Sequence, residues 1–266
     1  MNPRPTPPAV TRRGLRCWSP RPEARIRLIC LPHAGGGASA FRAWDPLMPT
    51  GTELHVAQYP GREDRYGEPL ITDMDTLVAH LADAVAPLTD RAYALFGHSM
   101  GSAVAWELAH ALIDRRLPPP QRLFVSGRRA PDRAPTGDVH LRDDAGLGDE
   151  LGRLGGTPGE LLADPDVRAA VLRQVRGDYR LIETYRPPAR APLPCPVDLF
   201  TGDRDPEVGP EDLAGWAEST THRARVRVFP GGHFYLVPAR REVVAALAGA
   251  LGTTATTAAG PWPSTP

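Results

Sequence analysis

The sequence predicts an α/β fold, a mostly parallel central sheet flanked by helices, and three observations carry that prediction. Short apolar runs alternate with segments of helical periodicity. Glycine-rich turns fall at the ends of the apolar runs, where open α/β sheets bind ligands. The 266 residues suffice for one such domain with an insertion and a sizeable buried core, and a second full domain is not expected.

Residues 1–15, rich in Pro and Arg, read as a disordered tail ahead of a domain over 16–251. The apolar runs Ile26–Leu31, Leu54–Tyr59, Tyr93–Phe96, Leu123–Ser126, Val197–Thr201 and Val226–Phe229 read as buried strands. Helical patterns intervene at about 40–48, 74–88, 100–115, 211–219 and 240–251, so strand and helix alternate as parallel pairing with crossovers requires. Within the third, Met100, Val104, Leu108 and Leu112 recur at helical spacing until Pro118-Pro119-Pro120 stops the pattern. Residues 252–266, of Thr, Ala, Gly and Pro, read as a second tail.

One stretch breaks the alternation. From about 139 to 185 no strand is readable, and helical patches appear instead. Over Asp166–Tyr185, Val167, Val171, Val175 and Leu181-Ile182 share a face, with Gly155-Gly156 and Asp164-Pro165 as breaks. A helical insertion between two core strands is placed to cover a site at the strand ends, and its glycines would let it move.

Composition excludes several function classes. The formal net charge is zero, so no global field favours nucleic acid or an anionic membrane. All 31 basic residues are arginines; without lysine there is no Schiff base, P-loop lysine or Ser-Lys dyad. Cys17, Cys30 and Cys195 suggest neither a disulfide framework nor a metal site, and a reducing cytoplasm is expected. The N-terminal segment has no apolar h-region and no stretch is apolar enough for a membrane helix.

Gly97-His98-Ser99-Met100-Gly101 stands directly after the Tyr93–Phe96 run and directly before a helical pattern, the arrangement of a nucleophile elbow. Flanking glycines are needed where a Cβ would collide with neighbouring backbone. A serine hydroxyl needs a base, usually a histidine held in one tautomer by a carboxylate, and behind an elbow the acid and then the histidine follow on later strand-end loops. The loop Gly202-Asp203-Arg204-Asp205-Pro206 supplies the acid. Asp205 is favoured because it lies deeper in the loop and Pro206 stiffens it. Asp203 is the alternative, or else caps the turn. The loop Pro230-Gly231-Gly232-His233 supplies the base, His233; the other histidines outside the motifs read as surface or core residues. The oxyanion hole needs two backbone N–H groups, expected from Met100, after the nucleophile, and from Ala34 in the loop Leu31-Pro32-His33-Ala34-Gly35-Gly36-Gly37.

Taken together, Leu31-Pro32-His33-Ala34-Gly35-Gly36, Tyr59-Pro60-Gly61-Arg62-Glu63, the elbow, Leu154-Gly155-Gly156-Thr157-Pro158 and Gly231-Gly232-His233-Phe234 resemble the type II thioesterases of polyketide and nonribosomal peptide synthesis, from about residue 25 to 250. The resemblance implies an α/β-hydrolase fold with a mobile helical lid. It implies a discrete editing enzyme that removes stalled or incorrect acyl groups from the phosphopantetheine arm of an acyl or peptidyl carrier protein. The catalytic roles carry over to Ser99, Asp205 and His233 and the hole to Met100 and Ala34, with no metal or cofactor; Arg62 receives no catalytic role. A cytoplasmic monomer is expected. Carrier proteins are generally acidic, and Arg128-Arg129, Arg176 and Arg180 are candidates for an arginine patch at the pocket mouth, with solvated helix and loop faces the preferred reading of them. The alternatives are a small-molecule esterase or acyltransferase with the same triad, and a non-catalytic binding protein on the same fold.

Overall fold

A computed structural model describes residues 10–11, 14–133, 137–156 and 163–253. Eight strands form one sheet in the order β1-β2-β4-β3-β5-β6-β7-β8, namely β1 (Val10–Thr11), β2 (Leu15–Arg16), β3 (Ile26–Leu31), β4 (Thr52–Ala57), β5 (Ala92–His98), β6 (Arg122–Ser126), β7 (Val197–Gly202) and β8 (Arg225–Phe229). All pairings from β4 to β8 are parallel; β1 and β2 pair antiparallel on the β4 side. All six runs read as strands in the sequence are strands: β3 has the bounds expected, β6, β7 and β8 are each one residue longer, β5 is three longer, and β4 begins and ends two residues before the run Leu54–Tyr59.

The first two strands lie where the sequence suggested a tail. Leu15, 1% exposed, is buried beside β4, and its neighbours bond to the β4 backbone, so Val10–Thr11 and Leu15–Arg16 extend the sheet through main-chain pairing that composition does not reveal. The remainder of the N-terminal tail and residues 254–266 lie outside the described residues. Thr253, at the start of the expected C-terminal tail, is buried and bonds its hydroxyl to that of Thr52 at 2.9 Å.

Helices α1 (Met74–Val85), α2 (Met100–Asp114), α3 (Asp144–Leu154), α4 (Pro165–Thr184) and α5 (Arg240–Ala250) complete the layers. Strand residues alternate between two cores because successive side chains point to opposite faces. Ile29 and Leu31, Leu95, Leu123 and Val125 pack with α1 and α2 on one side. Leu28 and Cys30, Phe96 and Phe124 pack with Phe41, Trp44 and α5 on the other. The segments read as helices near 40–48 and 211–219 are 3-10 turns, Ala38–Leu47 and Pro210–Ser219. Pro46 inside the first removes an amide that an α-helix would use.

The insertion consists of a 3-10 turn at Val139–Leu141 followed by α3 and α4. Asp164 caps α4, accepting from the amides of Asp166 and Val167, with Pro165 in the first turn, where a missing amide costs nothing. Gly155 ends α3 at φ 76°, a left-handed position that favours glycine. The buried face of α4 is Leu172, Val175, Asp178 and Leu181; Val167, expected on it, is exposed.

Candidate active site

Ser99 lies between β5 and α2 with φ 53° and ψ −119°, a strained conformation for a residue with a Cβ. The elbow is possible because both flanking glycines are in backbone contact. A Cβ on Gly97 would lie 2.1 Å from the Gly101 carbonyl oxygen, and one on Gly101 would lie 2.0 Å from that of Leu31. The Ser99 amide donates to the Ser126 carbonyl at 2.8 Å, so the turn is fastened to β6 as well as to β5.

The two later loops converge on it. His233 is 2% exposed, and its Nδ1 lies 2.9 Å and 3.1 Å from the two carboxylate oxygens of Asp205, whose side chain is fully buried. Asp205 also accepts from the Glu207 amide at 2.9 Å, an Asx turn across Pro206. Asp203 does something else: its half-exposed carboxylate accepts from the Gly231 amide at 2.7 Å and ties the aspartate loop to the histidine loop. Ser99 and His233 line the same cavities, but the Ser99 hydroxyl makes no hydrogen bond among the described residues. Such contacts commonly tighten only when substrate is bound.

Ala34 and Met100 line the cavity together with Ser99. Met100 is the first residue of α2, so its N–H has no partner within the helix and points where helix termini favour negative charge. The glycine loop that carries Ala34 is anchored from the insertion. Asp178 on α4 accepts from the Gly35 amide at 2.7 Å and receives a bidentate pair from Arg62 at 2.6 and 2.8 Å. Arg62 also donates to the Gly36 carbonyl at 3.0 Å. Arg62 and Asp178 are each 2% exposed. Sequence reasoning gave Arg62 no catalytic role and overlooked Asp178, although one signal was available: an aspartate on an otherwise apolar helical face.

A second unforeseen group is a chain of buried hydrogen bonds next to His233. His98 Nδ1 lies 2.9 Å from the Ser126 hydroxyl, which lies 2.6 Å from that of Tyr235. The His98 and His233 rings are 5.0 Å apart between centroids. Burial, reinforced by His233 and His33, holds the His98 pKa well below the usual histidine range. Burial likewise pushes His33 down to about 3, helped by His233 and Arg62. Both are therefore neutral at pH 7, leaving His233 flanked by uncharged imidazoles.

Two cavities meet at Ser99 and His233. The larger, 510 Å³, runs beneath α3 and α4 over the ends of β6 and β7 and is rich in charge, with Arg128, Arg142, Glu150, Arg153 and Glu207 on its walls. The smaller, 350 Å³, runs between the glycine loop and the insertion and is more apolar, with Leu151, Val171, Val175, Phe234 and Leu236. The insertion thus covers the site as expected. Thr157 and Pro158 of the expected lid motif lie outside the described residues.

The candidate arginines are scattered. Arg128 and Arg129 line the larger cavity, Arg129 also pairing with Asp212 at 3.0 Å, whereas Arg176 bonds Asp144 and the His140 carbonyl and Arg180 is exposed on α4. Cys17, Glu53 and His55 bring ligand-type atoms within 4.8 Å of one another. Glu53 there already accepts from the Arg21 amide, Arg27 and His55, and burial pushes the Cys17 thiol up to about 12, so the group reads as a hydrogen-bonded core cluster. No described helix is long and apolar enough to cross a membrane.

A family model described as the thioesterase domain matches residues 26–251. The chain is 41% identical over 224 residues to a probable cadicidin biosynthesis thioesterase of Streptomyces griseus, covering 84% of this chain and 62% of that one. It is 41% identical over 223 residues to thioesterase PikA5 of Streptomyces venezuelae, covering 84% and 79%. Among solved structures, the type II thioesterase BorB from the borrelidin biosynthetic cluster superimposes with a TM-score of 0.83 at 38% identity, over 90% of this chain and 97% of that one.

Proposed function

The chain belongs to the thioesterase family, and from that premise we propose that it hydrolyses acyl thioesters on the phosphopantetheine arm of carrier proteins, clearing stalled or incorrect acyl groups in polyketide or nonribosomal peptide synthesis. The observation that carries the chemistry is the pairing of His233 with the buried Asp205 beside a serine held at positive φ on an elbow. Asp205 fixes the imidazole with Nδ1 protonated and Nε2 free to accept a proton, and stabilises the imidazolium that forms.

Ser99 Oγ attacks the thioester carbonyl as His233 takes its proton. The C–O bond forms, and the negative charge on the carbonyl oxygen is received by the Ala34 and Met100 amides. Collapse breaks the C–S bond. The sulfur leaves with the electron pair and takes the proton from His233; with a thiol pKa of about 8.5 it needs less assistance than an amine. Water then attacks the acyl ester, His233 again accepting the proton, and the acid departs from a restored Ser99. Nothing in this sequence calls on a metal or a redox cofactor, and the reading is of a cytoplasmic enzyme acting on another protein's prosthetic arm.

The test is release of acyl groups from a loaded carrier protein by wild type and Ser99→Ala, together with covalent labelling by an organophosphonate probe. Wild type is expected to release the acid and to label once, at Ser99, while the variant loses both, with kcat reduced at least about 10⁴-fold. Undiminished release by the variant overturns the reading. Preferential transfer of the acyl group to added alcohol or amine identifies an acyltransferase, and a wild type that neither labels nor turns over identifies a binding protein.

A further inference from the structure

The larger cavity holds a guanidinium with no carboxylate within ion-pair distance among the described residues; Glu207 on the same wall, itself paired with Arg153, acts on it only at longer range. Arg142 pairs with Glu150 at 3.4 Å, Arg153 pairs with Glu150 at 2.6 Å and also with Glu207, and Glu183 is taken up by the Val139 and His140 amides and the His140 ring. Arg128 makes no ion pair and no side-chain hydrogen bond among the described residues. Its Nε is shut off from solvent without a partner. Burial lowers its pKa to about 10, which leaves it charged at neutral pH.

The side chain is part-buried, and a charge whose Nε is closed off from water without an ion pair is penalised by desolvation, so its persistence in a cavity wall beside Ser99 is poorly explained by folding. Its placement is well determined. The preceding Gly127 adopts φ 60° where a Cβ would sit 3.1–3.2 Å from the His98 and His233 rings, and the Arg128 carbonyl accepts from Trp216 Nε1 at 2.9 Å. The main chain is therefore pinned on both sides, and the side chain projects into the cavity that Ser99 and His233 share.

We propose that Arg128 is a substrate-recognition residue, its guanidinium donating to an acceptor oxygen of the bound thioester in the larger cavity, while hydrocarbon occupies the smaller one. A thioester offers such oxygens in two places. The pantetheine arm carries amide carbonyls, and the acyl chain carries a hydroxyl, keto or carboxylate oxygen when it is oxygenated. The shared chemistry is an acceptor within reach of a desolvated cation, where a hydrogen bond to a charged donor is worth more than one in water. The proposal rests on the thioesterase reading.

The experiment compares wild type with Arg128→Met and Arg128→Lys on four substrates: hexanoyl-pantetheine, hexanoyl-N-acetylcysteamine, 3-hydroxyhexanoyl-pantetheine and adipoyl-pantetheine. Ratios of kcat/KM cancel any general loss of activity. If the acceptor is in the arm beyond the cysteamine amide that N-acetylcysteamine keeps, Arg128→Met lowers the preference for pantetheine over N-acetylcysteamine by about tenfold or more, and if it is that shared amide the variant lowers kcat/KM for all four substrates alike and Arg128→Lys recovers part of the loss with Tm unchanged. If it is in the acyl chain, the variant lowers the preference for the oxygenated over the plain chain by a similar factor. Arg128→Lys, which keeps the charge and loses the planar fork, recovers part of either effect. The thermal midpoint separates a structural role, because removing a charge that pairs with nothing in the fold leaves Tm unchanged or raises it. Unchanged kcat/KM on all four substrates overturns the proposal, as does a uniform loss that Arg128→Lys does not recover or that comes with a Tm lowered by several degrees. Failure of the thioesterase reading would look different, since wild type itself would then hydrolyse none of the four.

Discussion

Ser99 is held in place by apolar burial and backbone contact, whereas the helices above it combine a smaller apolar contact with a set of ion pairs and polar ties. Below, β3, β4 and β5 are buried along nearly their whole length, and the elbow glycines touch neighbouring backbone with no room for a methyl group. Above, Val139, Leu147, Leu151, Leu172 and Val175 form a small cluster of their own, and Leu181 near the end of α4 joins the core on the α1 and α2 side. The polar ties are more specific: Arg62 to Asp178, Glu183 to the 3-10 turn at Val139–Leu141, and Tyr185 and Arg190 to Glu107 on α2. Apolar packing at native density permits one arrangement and resists displacement. A cover fastened by a few ion pairs has a discrete set of contacts that can release together, as a substrate on a long arm would require. Asp178 joins the two regions, because the same carboxylate that latches α4 also holds the Gly35 amide next to Ala34.

The largest effect is expected on the sheet side. Asp205→Asn keeps the volume of the side chain but presents the wrong hydrogen-bonding group to His233 Nδ1, and kcat should fall by about 10⁴-fold with little change in KM or Tm. Breaking the latch should look different. Asp178→Ala strands the buried Arg62 guanidinium at a cost of about 3–5 kcal/mol, read as faster proteolysis within 139–184, a higher KM and a smaller fall in kcat. Arg62→Met combined with Asp178→Leu should restore most of the protease resistance, since an apolar pair replaces the ionic one. If Asp178→Ala instead lowers only the global Tm, the cover is part of the core and the distinction between the regions fails.

Acid provides a third, milder comparison. His33 and His98 have folded pKa values depressed below an unfolded value of about 6.5. Below pH 6.5 the unfolded chain binds protons that the folded chain refuses, so their contribution is complete above pH 6.5 and is lost as pH falls towards about 3. Tm should drop by several degrees between pH 7 and pH 5, and His98→Asn should flatten that slope. A slope unchanged in the variant removes His98 from the account.

Much of this was legible in the sequence because it is written locally. Parallel strands buried on both faces are continuous apolar runs, and the elbow, the aspartate loop and the histidine loop each announce themselves by glycine at a strand end. What was not legible depends on pairing at a distance. Leu15 gives no sign that two short segments will add to the sheet, because edge pairing is done by backbone groups common to every residue. Arg62 and Asp178 lie 116 positions apart, and no local pattern brings them together. Arg128 and Arg129 were alike in the sequence as candidates for the pocket mouth, and both line the larger cavity; only the fold shows that Arg129 pairs with Asp212 while Arg128 has no ion pair among the described residues.

The smallest expected effect tests the choice between two aspartates two residues apart. Asp203 and Asp205 share a loop whose composition allows either to serve as the acid, and their environments separate them. Asp205 is wholly buried against His233, whereas the Asp203 side chain is 51% exposed and accepts one backbone amide. Asn can still accept from the Gly231 amide, so Asp203→Asn loses only charge assistance at a solvated site, on the order of 0.5–1 kcal/mol or less. kcat should remain within about twofold of wild type and Tm within a few degrees. The pair of substitutions is decisive as a pair: a 10⁴-fold loss in Asp203→Asn with Asp205→Asn active would exchange their roles. It would also mean that the loop rearranges on binding substrate, because here Asp203 is engaged with the Gly231 amide while His233 Nδ1 is held by Asp205.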